Sequence, residues 1–377
     1  MKKLISLVMA AAMAFSMVAC GGSTNSASTA TSGSTDTSTA TSTATTGGST
    51  DVAFITDVGN IDDHSFNQYS YEGVTNFCTA NGLKANYFRP TEDTDAARHD
   101  AIVQAANSGA KVVVMAGYLF APALEQVQAE FHDVQFLALD VSSADLPNPA
   151  ANTAMITYQE EQAGYLAGYA AVKDGYTKLG FLGGLAVPPV VRYGYGFVQG
   201  ADAAANELGV DVDVKYWYSG SFVANDDIKA KMDSWYADGT EVVFACGGGI
   251  YSSAISAAEA STNGGKVIGV DVDQSDDGSM VITSATKSLA HSVELALADC
   301  QANNWKWSEK YGAKETKLGV AEECVALPME TSRFESFTAE QYDELYAKLA
   351  DGSVAVNDSA DIMAHPETTK VTVDWQE

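Results

Sequence analysis

The stretch Val52-Ala53-Phe54-Ile55 runs directly into Thr56-Asp57 and is followed by a helical pattern over Phe66–Asn81. Four apolar residues in a row, without polar alternation, are typical of a strand that is buried on both faces. A buried strand followed by an amphipathic helix is the unit from which parallel α/β sheets are built. This stretch therefore predicts that the chain opens its folded part with such a unit.

The same pattern recurs along the chain. Further apolar runs predict strands at Lys111–Met115, Val134–Leu139, Lys178–Leu182, Glu241–Ala245, Lys266–Val270 and Val371–Trp375. Helical patterns predict helices at Phe120–Phe131, Val191–Leu208, Ile250–Thr262, Ser288–Ala302 and Phe337–Leu349, with Trp305-Lys306-Trp307 as an exposed loop. From Asp51 the chain of 377 residues has 327 left, enough for two separate cores. One series of strands and helices precedes about residue 156 and another follows it, which predicts two similar α/β lobes. The C-terminal helix and strand are expected to pack on the second lobe.

Acidic residues and glycines follow the predicted strands. Asp57, Asp140 and Asp271 stand just past three strands, while Gly117 and Gly247 follow two others. In open α/β sheets, ligands bind beyond the carboxyl ends of the strands. Glycine lets backbone approach a ligand closely, and aspartate accepts hydrogen bonds from hydroxyl or ring N–H groups. A single glycine could equally serve a tight turn and a single aspartate could cap a helix, but together they predict a polar cleft shared by both lobes.

The N-terminus has the features of a secretory leader. Lys2 and Lys3 precede an apolar run over residues 4–15, which is too short to span a membrane. Small residues before Cys20 predict a leader of residues 1–19 and lipidation of Cys20, with an ordinary secretory leader as the alternative. Residues 20–50 are almost entirely Gly, Ser, Thr and Ala, which predicts a flexible tether. We expect a protein anchored by lipid at the extracellular face of the cell membrane.

Charge and cysteine spacing exclude several classes. The net charge of −28 becomes −30 once Lys2 and Lys3 are removed with the leader, so nucleic acid and anionic lipid surfaces are unfavourable direct partners. Four cysteines follow Cys20, without CxxC or metal-ligand spacing. Buried free thiols are expected, with a Cys300–Cys324 disulfide as the alternative.

Enzyme motifs are absent from the sequence, with one partial exception. The chain has no G-x-S-x-G, H-E-x-x-H or Walker A motif, and its five histidines are scattered. We therefore predict no catalytic residue, no cofactor and no metal site. The exception is the acidic segment of residues 57–63, which resembles the Asp-rich signature with which nucleoside hydrolases hold calcium. A cell-surface nucleoside hydrolase is the alternative function.

Several ordered blocks carry a wider resemblance. They are residues 53–59 with 62–68, 109–120, 160–168, 180–184, 269–274 and 283–287. Together they resemble the basic membrane protein family, lipoproteins that bind purine nucleosides for ABC transporters. The resemblance implies a type I periplasmic-binding-protein fold, in which two doubly wound parallel-sheet lobes are joined by a three-strand hinge. It places residues 51–156 and 286–326 in the N-terminal lobe, and residues 157–285 and 327–377 in the C-terminal lobe.

The resemblance also implies roles for individual residues. Asp57 would accept from the edge of a purine ring, and Phe66 and Tyr193 would stack on its two faces. Asp140 and Asp271 would accept from ribose hydroxyls, with Lys287 as a donor. Asn67, Gly117 and Gly247 complete the expected ligand-binding set. Without the resemblance, Phe66 would be read as a core aromatic and Lys287 as half of a surface ion pair.

The function implied is capture of a purine nucleoside by hinge closure and its delivery to a permease. The expected partners are guanosine, adenosine or inosine, the membrane subunits of an ABC transporter, and the membrane itself through the lipid. A monomer is expected. Another small solute, or a receptor-linked sensor in place of a transporter, are the remaining alternatives.

Overall fold

Two largely parallel β-sheets organise the computed structural model, which describes residues 49–376. The predicted leader of residues 1–19, Cys20 and the linker as far as residue 48 lie outside the described residues. In the described range, none of the helices combines the length and the hydropathy that crossing a membrane requires.

Strands and helices alternate along most of this range. The strands are β1 Val52–Ile55, β2 Ala85–Phe88, β3 Val112–Ala116, β4 Gln135–Leu139, β5 Thr153–Tyr158, β6 Lys178–Gly183, β7 Val212–Tyr218, β8 Val242–Cys246, β9 Lys266–Asp271, β10 Val281–Lys287, β11 Lys314–Leu318, β12 Val325–Ala326 and β13 Val371–Gln376. The helices are α1 Phe66–Asn81, α2 Asp95–Asn107, α3 Ala121–Val127, α4 Glu160–Lys173, α5 Pro188–Leu208, α6 Asp226–Ala237, α7 Tyr251–Ala260, α8 Leu289–Ala302 and α9 Ala339–Ala350. The predicted helix over residues 120–131 is the one that the structure shortens most.

The first sheet has the order β11-β5-β4-β3-β1-β2, and every pair in it is parallel. Alternate residues of β1 enter different cores: Val52 and Phe54 join the core that contains α1 and α8, whereas Ala53 and Ile55 join the core with α2 and α3. Because helices cover both faces, every residue of this strand is buried, which explains its unbroken apolar sequence.

The second sheet has the order β12-β10-β9-β8-β6-β7-β13, with only the β10–β12 pair antiparallel. Val242 and Phe244 of β8 pack with α4 and α5, and Val243 and Ala245 pack with α6 and α7. The C-terminal strand β13 pairs with β7, and α9 packs against α4. Both C-terminal segments therefore pack against elements of the second layered body.

The chain passes between the sheets three times. It crosses between β5 and α4, between β10 and α8, and between β11 and β12. The predicted lobe boundaries after residues 156, 285 and 326 lie near these crossings and stay a prediction. Sheet membership differs from them by a few residues at each crossing. Strand β5 lies wholly in the first sheet, and β10 and β12 lie wholly in the second.

One local prediction is wrong. Trp307 is not part of an exposed loop, because its side chain is 7% exposed. Its indole Nε1–H donates to the carbonyl of Asn152 at 3.1 Å, and its backbone N–H donates to Gln135 Oε1 at 3.2 Å. The side chain thus closes the amino-terminal end of the first sheet, a long-range contact that the local sequence Trp-Lys-Trp does not reveal.

Helices α4 and α5 touch through glycines. A Cβ atom added at Gly168 would overlap the carbonyl oxygen of Phe197, and one added at Gly200 would overlap that of Tyr165. Gly164 and Gly196 meet the opposite helix in the same way. The two backbones are therefore in direct contact, and close packing of this kind tolerates no added methyl group without movement of a helix.

We predict that Gly168→Ala lowers the free energy of unfolding by about 1–3 kcal/mol, since overpacking outweighs the better helix propensity of alanine. Urea unfolding followed by circular dichroism measures the change. Gly249→Ala is the matched control, because a Cβ there meets its nearest heavy atom at 3.5 Å. Equal stability of the Gly168→Ala variant and the wild type would contradict the contact.

Candidate functional site

The carboxyl ends of strands from both sheets surround one cavity, whose volume together with its opening to solvent is about 650 Å³. Its walls come from the segments after β1, β3 and β4 in the first sheet, and from those after β6, β7, β8, β9 and β10 in the second. Eight of the nine predicted ligand-binding residues line it: Asp57, Phe66, Asn67, Gly117, Asp140, Gly247, Asp271 and Lys287. The structure thus brings together residues that are up to 230 positions apart in the chain (57 to 287).

Backbone conformation at the strand ends turns these residues toward the cavity. Asp140 and Asp271 have φ of 57° and 67°, and Gly117 has φ of 110°. Positive φ is unfavourable for aspartate and is usually kept where function or packing requires it. The two aspartates therefore hold conformations that favour glycine, and both carboxylates belong to the cavity wall.

Asn67 fixes the loop that carries Asp57. Its Nδ2 donates to Asp57 Oδ1 at 2.8 Å and to Asp63 Oδ2 at 2.8 Å, and its Oδ1 accepts from the Asp57 N–H at 3.0 Å. The Gly59 N–H also donates to Asp57 Oδ1, at 2.6 Å. Hydrogen bonds to this carboxylate from residues 49–376 all end on Oδ1, which leaves Oδ2 for a ligand donor. Burial raises the pKa of Asp57 to about 6, against the hydrogen bonds from Gly59 and Asn67.

Lys287 lies between two carboxylates at the hinge side of the cavity. Its Nζ is 2.8 Å from Asp140 Oδ2 and 3.0 Å from Glu160 Oε1, and the side chain is almost fully buried. Burial opposes the lysine charge, but Asp140, Glu160 and Asp271 outweigh it and raise the pKa of Lys287. Asp140 belongs to the first sheet and Lys287 to the second, so this ion pair joins the two bodies.

Arg192 completes the charge network from α5. Its Nε is 2.6 Å from Glu160 Oε2. Burial would raise the pKa of Glu160, yet the charges of Arg192 and Lys287 outweigh burial and hold that pKa below its ordinary value. Burial raises the pKa of Asp140 to about 7 against the pull of Lys287. Sequence reasoning missed Glu160 and Arg192 as parts of the network, although a lysine near two aspartates should have indicated further partner charges.

The aromatic walls differ from the prediction in one residue. Phe66 lines the cavity, with Lys287 Nζ 5.0 Å from its ring centroid. Tyr193 does not line the cavity: its hydroxyl donates to the carbonyl of Ala285 at 3.2 Å and its ring packs edge-on against Phe244. The reason is its depth, since Pro189 and Val190 lie one turn nearer the start of α5 and take the lining positions.

Phe222 is the aromatic residue that lines the second wall. It lies after β7, directly behind Ser219-Gly220-Ser221 in the chain. Its ring packs on the backbone of Gly184 and Gly247. A Cβ at Gly247 would lie 3.1 Å from the Phe222 ring, and one at Gly184 would overlap that ring. These glycines therefore make room for an aromatic side chain, a role that the sequence interpretation did not consider. An aromatic residue in a Ser/Gly loop after a strand was the available signal.

Three hydrogen bonds join the two bodies beside the cavity, and the first of them is buried. Ser65 Oγ donates to Asp271 Oδ2 at 2.6 Å, and Gln274 Nε2 donates to the His64 carbonyl at 3.1 Å. His64 Nδ1 lies 3.0 Å from Asp277 Oδ1. The loop before α1 is thereby tied to the segment after β9, so the structure has the closed arrangement of the two bodies.

The segment that resembles a calcium signature forms a loop held by side chains. Asn67 donates to both Asp57 and Asp63, as described above, and Asp63 also caps the start of α1 through the N–H groups of Ser65 and Gln68. Within residues 49–376, no group of three His, Cys, Asp or Glu side chains is arranged to hold a metal ion.

A family model described as "ABC transporter substrate-binding protein PnrA-like", Bmp, matches residues 50–359 of this chain. The chain belongs to the Bmp family. The resemblance seen in the sequence is thus confirmed, and this family consists of substrate-binding proteins of ABC transporters.

Relatives of this Bmp-family chain carry matching names. Basic membrane protein A1 of Borrelia garinii subsp. bavariensis is 26% identical over 310 residues, covering 81% of this chain and 87% of the relative. The ABC transporter nucleoside-binding protein BmpA of Lactococcus lactis subsp. cremoris is 30% identical over 234 residues, covering 59% of this chain and 64% of the relative.

Solved structures support the same fold. An ABC transporter solute-binding protein from Aeropyrum pernix K1 superposes with a TM-score of 0.71 at 20% identity, covering 83% of this chain and 94% of the other. At this level of identity the similarity shows the fold alone. The predicted α/β architecture with parallel-sheet lobes is therefore confirmed.

Glu161 gives a pH-dependent prediction for this Bmp-family protein. Its side chain is 2% exposed, Oε2 has no hydrogen-bond partner among the described residues, and burial beside Glu160 raises its pKa to about 7 from 4.5. The folded state therefore holds this proton longer than the unfolded state, so the contribution of Glu161 to stability falls as pH rises from about 4.5 to about 7. We expect Glu161→Gln to be more stable than the wild type at pH 7 by roughly 3 kcal/mol, and the difference to shrink toward pH 4.

Chemical denaturation across this pH range measures the difference. Glu259→Gln, at an exposed position on α7, is the control and should follow the wild type throughout. A stability difference between Glu161→Gln and the wild type that does not change with pH would contradict the protonated, buried carboxyl group.

Proposed function

We propose that this chain is a lipid-anchored, extracellular solute-binding protein that captures a purine nucleoside and delivers it to an ABC permease. The observation that carries the proposal is a cavity between two sheets that is lined by Phe66 and Tyr118 from the first body, by Phe222 from the second, and by carboxylates at its ends. Flat aromatic faces suit a nucleobase, and carboxylate oxygens suit the hydroxyl pair of ribose. The nucleoside-binding name of the Lactococcus relative supports the same ligand class.

The proposed pose follows from the hydrogen-bond groups. The purine lies between Phe66 and Phe222, and a ring-edge N–H donates to Asp57 Oδ2. The ribose lies at the hinge side, near Asp140, Asp271 and Lys287. Asp140 Oδ1 supports this orientation, because it is buried and has no hydrogen-bond partner among the described residues. A buried acceptor without a donor is unfavourable, so a ribose hydroxyl would relieve it.

Closure is the proposed mechanism of capture. The proposed ligand contacts both bodies: Asp57 and Phe66 in the first, and Phe222 and Asp271 in the second. It therefore binds the closed arrangement more tightly than an open one and shifts the population toward the closed state. The proposal includes no covalent step. Lipidation of Cys20 would keep the protein near the permease, and the monomer is the proposed functional form.

Calorimetry of the purified protein against guanosine, adenosine, inosine and ribose tests the ligand class. We expect at least one nucleoside to bind roughly a hundredfold tighter than ribose, because stacking of a base on aromatic side chains contributes about 1–3 kcal/mol. Tight binding of a sugar or an amino acid, with no binding of any nucleoside, would reject the proposal. Release of free base and ribose during incubation with calcium would favour the hydrolase instead.

A matched pair of substitutions tests the second stacking residue. We expect Phe222→Leu to weaken nucleoside binding about 5- to 150-fold with little loss of stability, because the partly exposed ring contacts the ligand. Tyr193→Leu should lower the melting temperature and change affinity much less, because Tyr193 is buried behind the wall. Thermal unfolding and calorimetry of both variants provide the comparison. A large loss of affinity in Tyr193→Leu, with little change in Phe222→Leu, would indicate that Tyr193 is the stacking residue.

A further inference from the structure

A second chamber of about 540 Å³ adjoins the ligand cavity and opens to solvent. The two spaces share Gly59, Asp63 and Phe222, so Phe222 stands between them as a common wall. The outer chamber is otherwise formed by the loop after β1, the loop after β7 and the start of α7. It therefore lies at the side of the cavity where Asp57 is held, away from Lys287.

The walls of this outer chamber combine an apolar surface with the polar side chains of Asn60, Asp62 and Ser252. Val223, Ala224, Gly249 and Tyr251 contribute aliphatic, small and aromatic surface beside Phe222. The Asp63 carboxylate is already saturated, because it accepts from the N–H groups of Ser65, Asn67 and Gln68 and from Asn67 Nδ2. The Asp62 carboxylate is exposed to water. An uncharged, hydrophobic group can therefore pack on the apolar side chains while this carboxylate stays hydrated, whereas an anionic group would be repelled by it.

Orientation of the ligand decides what reaches this chamber. Asp140, Asp271 and Lys287 line only the inner cavity, so the sugar lies inward and the edge of the base faces outward, toward Asp57 and Phe222. Asp57 Oδ2 requires a single N–H donor. An exocyclic amine that carries one alkyl or arylalkyl group keeps one N–H, so a substituted base can satisfy Asp57 and still extend outward.

We propose that the outer chamber is a subsite for a hydrophobic substituent on the base. This inference rests on the proposed function and narrows its substrate class: the protein binds purine nucleosides that are substituted on the exocyclic amine, and not the unmodified nucleosides alone. Phe222 then contacts the purine on one side and borders the substituent on the other.

Adenosine and N6-benzyladenosine are the probes for the test, with the full-length protein as wild type and as Ser252→Phe and Ser252→Ala variants. Ser252 is exposed at the start of α7, lines the outer chamber and does not line the inner cavity. We expect the wild type to bind N6-benzyladenosine about tenfold tighter than adenosine, because the added ring buries apolar surface. Ser252→Phe should remove this preference, because its ring would take up part of the space that the benzyl group needs. Ser252→Ala should keep it.

Each result has a defined meaning. Failure of both probes, and of guanosine and inosine as well, to bind the wild type would reject the proposed function itself. Binding of guanosine or inosine without either probe would overturn the subsite alone. Tight adenosine binding with weaker binding of N6-benzyladenosine would overturn the subsite alone. The subsite would also be overturned if Ser252→Phe slowed the association of adenosine but kept the preference for N6-benzyladenosine. The chamber would then serve only as the entrance to the cavity. Val223→Trp, at a half-exposed position of the facing loop, repeats the test if Ser252→Phe does not fold.

Discussion

The site depends on one interaction: the ammonium group of Lys287 forms ion pairs with two carboxylates at once. It lies where β10 ends and the chain crosses toward α8, and it contacts Asp140 at the end of β4 and Glu160 just after the crossing from β5. Buried ion pairs add little net stability compared with apolar packing, but removing one member leaves a buried charge without compensation. The network therefore sets the geometry at two of the three crossings, and the same charges form the polar end of the cavity. The residues that connect the two bodies at these crossings are therefore also residues of the ligand cavity.

Glycines allow close packing at two places in the second body. Between α4 and α5 they bring backbones into contact, and at the ends of β6 and β8 they leave space for the ring of Phe222. The first group makes the helix layer behind the cavity rigid, since no side chain is available to yield. The second group places an aromatic ring on a loop while the backbone beneath it supports its face. Rigid support behind a loop aromatic is what a stacking site needs if binding is not to be weakened by reordering of the loop.

Much of the fold could be predicted because it depends on local patterns. Unbroken apolar strands such as Val52–Ile55 revealed parallel sheets covered on both faces, and helix α1 begins and ends where its pattern predicts. Aspartates and glycines after strands indicated the cavity, since strand ends of a parallel sheet meet at one edge. Tyr193 and Phe222 show the limit. Both are aromatic residues near glycines, and only the depth of one along α5 and the path of the loop after β7 decide which ring reaches the cavity. Glu160, Arg192 and Trp307 were missed for the same reason: their roles arise from partners far away in the chain.

The position of β13 gives the end of the chain a protective role. Residues 371–376 form the outermost strand of the second sheet, paired along the whole of their length with β7, while His365 stacks on Trp375 with ring centroids 3.7 Å apart. Without them, the N–H and C=O groups of β7 would form an open border, and such borders recruit strands from other molecules. Removal of these few residues by a protease would therefore expose β7 as an unpaired edge and favour aggregation of the trimmed protein.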